Sequence, residues 1–308
     1  MKIYNCIKDF EPVKNTVVTI GTFDGVHLGH RAIFNKMMHE AVKIDGETVV
    51  ITFYPHPRIV LGLDSSKLKF INTQEKKINR LELAGIDHLI IVSFTKQFAG
   101  ISSYDFIKDF VVEKINPSKL IIGFDHHFGK NRRGSFDQLS ELGREFGFSV
   151  EQVEEQKIND MPISSTKIRT LLEAGKVSAA NMLLGYEYSI TGKVVPGNAI
   201  GRGIGFPTAN IEIADEFKLI TANGVYACRV YWMGKSYKGM SNIGYRPTIN
   251  KGELTIEGNI FNFDERIYDQ QITISFVERM RDEKKFKDKE ALIEQLKVDK
   301  VNALKLLE

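Results

Sequence analysis

Histidines and glycines are concentrated in one short segment near the start of the chain, Gly21-Thr-Phe-Asp-Gly-Val-His-Leu-Gly-His30. His27 and His30 are three residues apart, at the place where a helix is predicted to begin after a strand. The N-terminus of a helix favours an anion because its first backbone N–H groups are unpaired and its dipole is positive there. Two imidazoles directed at the same place would suit a polyphosphate that undergoes nucleotidyl transfer.

Three interpretations of this segment remain open from its residues alone. In the first, a loop in front of the two histidines handles phosphate through Gly21, Phe23, Asp24, Gly25 and Gly29. In the second, the segment is a glycine-rich turn with two surface histidines. In the third, the histidines bind zinc, but no Cys or Glu stands at ligand spacing, and His39-Glu40 lacks the second His of an HExxH motif.

Hydroxyl groups cluster much later in the chain, in Ile163-Ser-Ser-Thr-Lys-Ile-Arg169. They precede a helix predicted over 167–174, and such residues are favourable at a helix N-terminus. The hydroxyls of Ser164, Ser165 and Thr166, together with free N–H groups and Arg169, would bind phosphate oxygens. The alternative is a plain helix cap followed by an exposed arginine.

A second glycine-rich segment is Gly201-Arg-Gly-Ile-Gly-Phe-Pro-Thr-Ala-Asn210. It is not a dinucleotide-binding fingerprint, because a proline and a predicted strand follow the glycines where that fingerprint needs a helix. We predict a flap over phosphates, formed by Gly201, Arg202 and Gly203. The Thr208 hydroxyl and the Asn210 amide would then offer oxygen ligands to Mg²⁺, which commonly takes few protein ligands besides substrate phosphates. The alternative is a β-hairpin loop with glycines at positive φ.

The elements that must position these side chains differ between the two parts of the chain. Continuous β-branched runs predict strands at 17–23, 48–54, 88–94 and 119–124, and helical patterns lie between them at 31–44, 75–83 and 104–114. This alternation predicts a parallel sheet with helices on both faces and ligands at the carboxyl ends of its strands. After Gly185, six strand-like runs with short turns predict an antiparallel sheet or small barrel, followed by a helix over 287–307.

Length and composition agree with two domains, which we place at 1–184 and 185–308. Lys and Arg number 42 against 39 Asp and Glu, and the resulting net charge of +3 gives no argument for a nucleic-acid partner. The two cysteines form no disulfide framework and indicate a reducing compartment. No apolar run approaches the ~20 residues that cross a bilayer. We therefore expect a cytoplasmic protein without a membrane partner.

Taken together, the chemical segments resemble a known family. GxFDGxHxGH at 21–30 and ISSTxIR at 163–169 resemble the adenylyltransferase half of the bacterial bifunctional riboflavin kinase/FMN adenylyltransferases, or FAD synthetases. The segments at 52–57 and 123–129 match that half in the same order. Later motifs resemble the riboflavin kinase module of the same family. They are GxGFPTAN at 203–210, the segments at 223–226 and 241–248, Glu257, and the segment at 281–286. The resemblance covers essentially the whole chain.

The resemblance implies two consecutive reactions on small molecules. ATP and Mg²⁺ phosphorylate riboflavin to FMN in the second domain, and a second ATP adenylylates FMN to FAD in the first, with release of pyrophosphate. The implied fold is a Rossmann-like nucleotidyltransferase sheet with flanking helices, then a small antiparallel β-barrel with a C-terminal helix. We expect a monomer or a weak homo-oligomer. Two alternatives stay open: only one half is catalytically active, or the protein is a flavin-responsive regulator.

The resemblance also implies roles for individual residues. Glu257 matches the family's catalytic glutamate and would be the general base for the ribityl hydroxyl. The family often shows a Glu-x-His-Ile or Glu-x-x-Ile pattern here, whereas this chain has Glu257-Gly-Asn-Ile260, so the neighbours Gly258 and Asn259 are unusual. His27, His30 and Arg169 would act on the phosphates of the second ATP, a step that needs no base because the FMN phosphate is already ionised.

Three further residues receive binding roles from the same resemblance. Asp125 matches a polar position near the nucleotide. His56 lies between two prolines and is assigned to substrate positioning, on the flavin side of the site. Arg281 opens the RDExKF segment and is likewise assigned to flavin binding.

Overall fold

The computed structural model describes residues 1–62, 68–124, 135–197, 201–245 and 254–308. The chain divides into two compact units, Met1–Ser165 and Thr166–Glu308. This division falls inside a helix that begins at Ser165. The domain boundary expected after residue 184 stays a prediction.

The first unit is an α/β unit around a six-stranded parallel sheet. Its strands are β1 (Lys2–Tyr4), β2 (Thr16–Ile20), β3 (Thr48–Tyr54), β4 (His88–Ser93), β5 (Pro117–Gly123) and β6 (Ser149–Val153). They lie in the order β1-β4-β3-β2-β5-β6, and every neighbouring pair is parallel. A short antiparallel pair, β7 (Lys157–Ile158) and β8 (Met161–Pro162), follows the sheet. The predicted parallel α/β architecture is confirmed.

Helices connect these strands. The α-helices of the first unit are α1 (Leu28–Lys43), α2 (Pro57–Val60), α3 (Gln74–Leu83), α4 (Ser103–Asp105), α5 (Glu113–Ile115) and α6 (Phe136–Phe146). A π-helical stretch, Phe106–Val112, joins α4 to α5, and 3₁₀ turns occupy Ile7–Asp9 and Phe98–Gly100.

Successive residues of the central strands pack into different cores. Val17 of β2 and Val50 of β3 belong to the core that contains Phe34 of α1, whereas Val18 and Ile51 belong to another. Side chains alternate between the two faces of a strand, so a strand covered on both faces is apolar throughout. This is why the continuous Val/Ile runs of the sequence predicted these strands.

In the part of the second unit that the structure describes, two α-helices, a closed barrel with a 3₁₀ turn at Arg202–Ile204 and a final α-helix follow one another. The helices are α7, which begins at the division between the units (Ser165–Glu173), and α8 (Val177–Leu184). The barrel strands are β9 (Ser189–Val195), β10 (Ala209–Glu212), β11 (Gly224–Trp232), β12 (Lys235–Tyr245), β13 (Leu254–Ile260) and β14 (Gln271–Arg281). They close in the order β10-β13-β12-β11-β14-β9 with antiparallel pairing. The predicted small barrel is confirmed.

The last helix, α9 (Lys289–Leu306), packs on this barrel, as its apolar spacing predicted. Ala303 and the following Leu307 share a core with Ala227, Met240 and Phe261. Among the described residues, no helix is both long enough and apolar enough to cross a membrane.

Candidate active sites

The first candidate site is the loop between β2 and α1, at the carboxyl end of the parallel sheet. The sequence predicted that β2 would extend to residue 23, but the strand ends at Ile20 because the chain turns into positive φ at Phe23. Gly25 has φ +87°, and a Cβ there would lie 2.9 Å from the Cδ1 atom of Ile71. Only glycine fits this turn without strain.

Asp24 attaches the loop to the chain segment that precedes α3. Its Oδ1 atom accepts hydrogen bonds from the backbone N–H groups of Ile71 at 3.0 Å and Asn72 at 3.2 Å. Asp24 is 6% exposed, so its carboxylate is satisfied by backbone donors rather than by water. The structure therefore gives Asp24 an orienting contact within the loop.

His27 is held at both ring nitrogens. As the N-cap of α1, its Nδ1 atom accepts a hydrogen bond from the backbone N–H of His30 at 3.3 Å. Its Nε2 atom lies 3.3 Å from Oγ of Ser165, and that hydroxyl donates its own proton to the carbonyl oxygen of Asp24 at 2.8 Å. Nε2 must therefore carry the proton and donate it to Ser165, which fixes the tautomer of His27.

His30 stacks on His27 with ring centroids 3.6 Å apart and an interplanar angle of 18°. The ring of Phe23 packs against the ring of His30 in a T-shaped arrangement, with centroids 5.2 Å apart. Among the described residues, the Nδ1 atom of His30 has no hydrogen-bond partner. Burial holds the pKa of His30 well below its usual value, and the positive charge of Lys77, and of His27 whenever it is protonated, lowers this pKa further. At neutral pH His30 is an uncharged imidazole with an unused nitrogen.

The other residues that the sequence assigned to phosphate or nucleotide binding in the first half lie in or near α7, apart from Asp125. Ser164 directly precedes α7, and Ser165 is its first residue. Arg169 lies one turn along α7, in the second unit, and its Nη2 atom donates to Oγ1 of Thr166 at 3.4 Å. Asp125 lies outside the described residues.

His56 caps the short helix α2. Its Nδ1 atom accepts from the backbone N–H of Arg58 at 3.2 Å, and its ring packs on Phe70 with centroids 4.6 Å apart. The helix cap and the ring contact hold the imidazole in one orientation. Its assignment to substrate positioning stays a prediction.

Sequence reasoning missed one basic residue in this region, Lys77 of α3. The side chain is buried, and Nζ donates to the carbonyl oxygen of Thr22 at 3.3 Å and to Oγ1 of Thr52 at 3.2 Å. Burial lowers the pKa of Lys77 to about 8, although the charge of Asp24 partly offsets this. A signal existed in the sequence: Lys77 stands four residues before the buried Leu81 and therefore shares its helix face.

The second candidate site lies where β10 meets β13 in the barrel. The antiparallel register places Asn210 opposite Glu257 and Ala209 opposite Gly258. The hydroxyl of Thr208 donates to Oε2 of Glu257 at 3.3 Å. The structure thus brings together three residues that the sequence had assigned to phosphoryl transfer.

Asn259 provides a second contact between these strands. Its Nδ2 atom donates to the carbonyl oxygen of Pro207 at 2.6 Å, and its side chain is buried. Because residues i and i+2 of a strand face the same way, Glu257 and Asn259 contact the Pro207–Thr208 corner from one face of β13. The residue that departs from the family pattern therefore supports this corner.

A cavity of about 350 Å³ opens beside the same corner. Its lining includes residues 263–268 and the side chains or backbone of Arg202, Pro207, Thr208, Gly258 and Ile260. Of the predicted flap, Arg202 lines the cavity. Gly201 next to it approaches the carbonyl oxygen of Phe206 so closely that a Cβ would lie 2.2 Å from that oxygen. Its volume falls within the roughly 300–1,000 Å³ of ligand pockets.

The oxygen atoms at this corner fit Mg²⁺. Thr208, Asn210 and Glu257 contribute a hydroxyl, an amide and a carboxylate at adjacent positions. Mg²⁺ prefers such oxygen donors and keeps remaining positions for water and substrate phosphates. Among the described residues, no group of three or more His, Cys, Asp or Glu is placed to hold a metal, so the zinc interpretation of His27 and His30 gains no support.

Arg281 is engaged by the last helix. Its Nε and Nη2 atoms donate to the carboxylate of Asp299 at 3.0 and 2.6 Å, and Nη1 donates to the carbonyl oxygen of Asp282 at 2.9 Å. These contacts join the end of β14 to α9. A direct contact of Arg281 with flavin stays a prediction.

Two family models match the chain. The model described as FAD synthetase matches residues 10–167, and the model described as riboflavin kinase matches residues 184–307.

Curated relatives match nearly the whole chain. The bifunctional riboflavin kinase/FMN adenylyltransferase of Bacillus subtilis is 37% identical over 300 residues, which cover 96% of this chain and 93% of the relative. The protein of the same description from Escherichia coli K12 is 32% identical over 293 residues, with 95% and 93% covered. A crystal structure of a Streptococcus pneumoniae protein described as a macrolide-efflux protein is 32% identical, has a TM-score of 0.89 and covers 97% of both chains.

Proposed function

The chain belongs to the family of bifunctional riboflavin kinase/FMN adenylyltransferases, and from this premise we propose how its side chains divide the two reactions. The enzyme phosphorylates riboflavin to FMN with ATP, and it adenylylates FMN with a second ATP to give FAD and pyrophosphate. Adenylyl transfer is assigned to the His27–His30 loop and phosphoryl transfer to the Thr208–Glu257 corner. One observation carries this division: the contacts of His27 with His30 and Ser165 lie within the first compact unit, and the Thr208–Glu257 contact lies within the second.

In phosphoryl transfer, Glu257 is the general base. A ribityl hydroxyl is a poor nucleophile, so a carboxylate that accepts its proton helps the oxygen to attack the γ-phosphorus of ATP. The hydrogen bond from Thr208 orients the carboxylate of Glu257, to which we assign the ribityl proton. Bound Mg²⁺, held by Thr208 and Asn210, would neutralise charge on the phosphates.

The nucleotide of this reaction is assigned to the cavity beside the corner. Arg202 on its rim offers a guanidinium to phosphate oxygens, and the flap at 201–203 gives the backbone close access. Phosphoryl transfer depends mainly on positioning and on stabilising charge, so one carboxylate, one cation and a shaped cavity meet its requirements.

In adenylyl transfer, an FMN phosphate oxygen attacks the α-phosphorus of ATP and pyrophosphate leaves. This nucleophile is already ionised, so donors that stabilise the developing charge are needed instead of a base. His30 supplies an imidazole with an unused nitrogen, and the N-terminus of α1 supplies backbone N–H groups. His27, fixed by Ser165, holds the stack that orients His30. Ser164, Thr166, Arg169 and Asp125 are assigned to phosphate or nucleotide binding from their sequence segments.

The cellular setting is part of the same proposal. Both cysteines are free, with Cys228 buried and Cys6 exposed, which suits a reducing compartment such as the cytoplasm. The net charge of +3 gives no reason to expect a nucleic-acid partner. We assign the protein to the cytoplasm as a monomer or weak homo-oligomer, and analytical ultracentrifugation of the pure chain measures that state.

The division of the reactions is tested with two variants and two assays. Glu257→Gln keeps the size of the side chain and removes its basicity, so FMN formation from riboflavin should fall by roughly 10²–10⁴. FAD formation from supplied FMN should remain unchanged. His30→Ala should show the opposite pattern, with FMN accumulating and FAD formation reduced on the order of 10²–10³.

In each variant, the activity that should remain unchanged shows that the protein is folded. A Glu257→Gln protein with normal kinase activity would remove Glu257 from the mechanism. A His30→Ala protein that makes FAD at the wild-type rate would leave the two histidines as a structural turn. A wild-type protein that forms FMN from riboflavin but no FAD under any condition would favour the alternative in which one half only binds nucleotide or flavin.

A further inference from the structure

Lys77 is a buried charge that the mechanism above does not use. It belongs to α3 and is 7% exposed. An ammonium group is costly to bury unless it is paired or hydrogen-bonded, and an apolar side chain would fill the same space at lower cost. The contacts of Lys77 therefore call for a functional explanation.

Those contacts converge on the loop that presents the two histidines. Nζ donates to the carbonyl oxygen of Thr22, between the end of β2 and Phe23. It also donates to Oγ1 of Thr52 in β3, and that hydroxyl in turn lies 3.4 Å from the same carbonyl oxygen. Lys77 thereby fastens the start of the loop to the neighbouring strand.

The residues just before α3 also bind the loop, on the other side of Phe23. Ile71 and Asn72, a few residues before Lys77, bind the carboxylate of Asp24 through their backbone N–H groups. Phe23, whose ring packs against His30, lies between the two attachment points. Movement at either point would shift Phe23 and with it the imidazole of His30.

The charge of Lys77 also affects the protonation of His30. It disfavours protonation of His30 in the same direction as burial and His27 do, and Asp24 is the opposing carboxylate beside it. Two stacked imidazoles 3.6 Å apart would repel each other if both were charged. A fixed positive neighbour keeps His30 in its neutral, hydrogen-bonding form.

We propose that Lys77 is a positioning residue of adenylyl transfer: its buried ammonium anchors the loop at Thr22 and disfavours a second positive charge on His30. This rests on the proposed assignment of adenylyl transfer to His27 and His30. Lys77 touches no reacting atom in this account and acts through the loop and the imidazole.

The test uses the full-length enzyme and three variants. Lys77→Met removes both the donor and the charge, and Lys77→Gln removes the charge but keeps an N–H donor. Lys76→Met is the matched control, because Lys76 is the adjacent lysine of α3, and the charges that act on its pKa are Arg80 and Glu75 rather than groups of the loop. FAD formation from FMN is measured between pH 5 and 9, and the titration of His30 is followed by NMR.

Both Lys77 variants should form FAD more slowly at neutral pH, by as much as 10² for Lys77→Met, the scale of loss from a small displacement of catalytic groups. Removing a positive neighbour makes protonation easier, so the pKa of His30 should rise in both variants and the acid limb of the rate profile should move to higher pH. Lys76→Met should match the wild type across the whole pH range.

The proposal is overturned if His30 titrates as in the wild type in both Lys77 variants, even when their rates fall, because the lysine would then be a structural tether only. It is equally overturned by unchanged FAD formation in both. Lys77→Gln keeps a donor and serves where Lys77→Met does not fold. The His30→Ala variant tests the assignment of adenylyl transfer to the two histidines separately from the role of Lys77. If that variant forms FAD at the wild-type rate, the assignment of the histidines is refuted. The effect of Lys77 on His30 is still measured by the titration of His30 in the Lys77 variants.

Discussion

At the scale of single residues, both candidate sites depend on side chains that hold other side chains. His27 is held by Ser165, and the Pro207–Thr208 corner is held by Asn259 and Glu257. Such supporting contacts fix the acting groups within a fraction of an ångström, which is what electrostatic catalysis requires. The sequence segments and the family resemblance predicted the acting groups, whereas the structure was needed to find the contacts that support them.

Asn259 allows a direct test of one such support. In Asn259→Ala the carbonyl oxygen of Pro207 loses its buried donor, and the corner that carries Thr208 loosens. Pro207 itself is exposed, so the loss is that of one ordinary hydrogen bond, about 0.5–1.5 kcal/mol, and we expect riboflavin phosphorylation to fall by up to roughly tenfold. Steady-state kinetics should show the loss in the KM for ATP and in kcat together.

The control for Asn259 lies in the same chain and in a second variant. FAD formation from FMN by Asn259→Ala should equal that of the wild type. Asn259→His supplies a ring N–H donor in place of the amide, so it should recover most of the kinase activity. An Asn259→Ala enzyme with normal kinase constants would show that the contact with Pro207 is incidental.

At the scale of elements, the sequence predicted the buried strands and the long helices but not the edges. The central strands β3 and β4 were predicted almost to the residue because they are continuous Val/Ile runs. The edge strands β1 and β6 lie on the outside of the sheet and lack such runs, so periodicity could not find them. The helix predicted over 104–114 contains a π-helical stretch, which a 3.6-residue pattern does not distinguish.

The candidate sites were predicted only in part for a related reason. The glycine and histidine segments were visible because loops at strand ends carry unusual residue combinations. Lys77 lies on a helix among ordinary charged residues, and nothing in its neighbours marks it as buried apart from its spacing to Leu81. Asn259 is a polar residue in a strand whose partner, Pro207, is 52 residues away.

The attachment of α9 to the barrel can be tested through Asp299. Its carboxylate is 2% exposed and accepts hydrogen bonds from the Nε and Nη2 atoms of Arg281 and from the amide of Gln295. Asp299→Ala leaves a partly buried guanidinium without its partner, and breaking buried pairs typically costs 3–5 kcal/mol. Because Arg281 retains some solvent access, we expect a loss of about 2 kcal/mol in the free energy of unfolding of the second unit, measured by urea titration.

A matched acidic residue on the same helix provides the comparison. Glu294 pairs with Lys297 at 2.7 Å, but both side chains are largely exposed. Surface pairs of this kind contribute little, so Glu294→Ala should leave the urea midpoint unchanged. Equal midpoints for both variants would mean that the Asp299–Arg281 contact does not fasten α9.

At the scale of the whole molecule, two compact units hold two separate sets of contacts. The second unit includes α7 and α8 as well as the barrel. The hydroxyl of Thr221 donates to the carbonyl oxygen of Leu172 in α7, and the amide of Asn181 in α8 donates to the carbonyl oxygen of Phe276 in β14. These helices are therefore part of the folded surroundings of the barrel.

This packing predicts different behaviour for two C-terminal fragments. A fragment of residues 166–308 keeps α7 and α8, whereas a fragment of residues 185–308 lacks them. Leu172, Leu183 and Leu184 are fully buried, and each such side chain contributes about 1.5–3 kcal/mol by its burial. The shorter fragment also loses the bond from Asn181 to Phe276. It should therefore unfold at a clearly lower urea concentration than the longer one.

Activity assays complete the comparison of the two fragments. Both contain Thr208, Asn210 and Glu257, so each folded fragment should convert riboflavin to FMN, and neither should form FAD because both lack the His27–His30 loop. Circular dichroism at the assay temperature shows whether each fragment is folded when it is assayed. Equal urea midpoints would contradict the structural role given to α7 and α8. A folded 166–308 fragment without kinase activity would instead refute the assignment of phosphoryl transfer to the Thr208–Glu257 corner acting within its own unit.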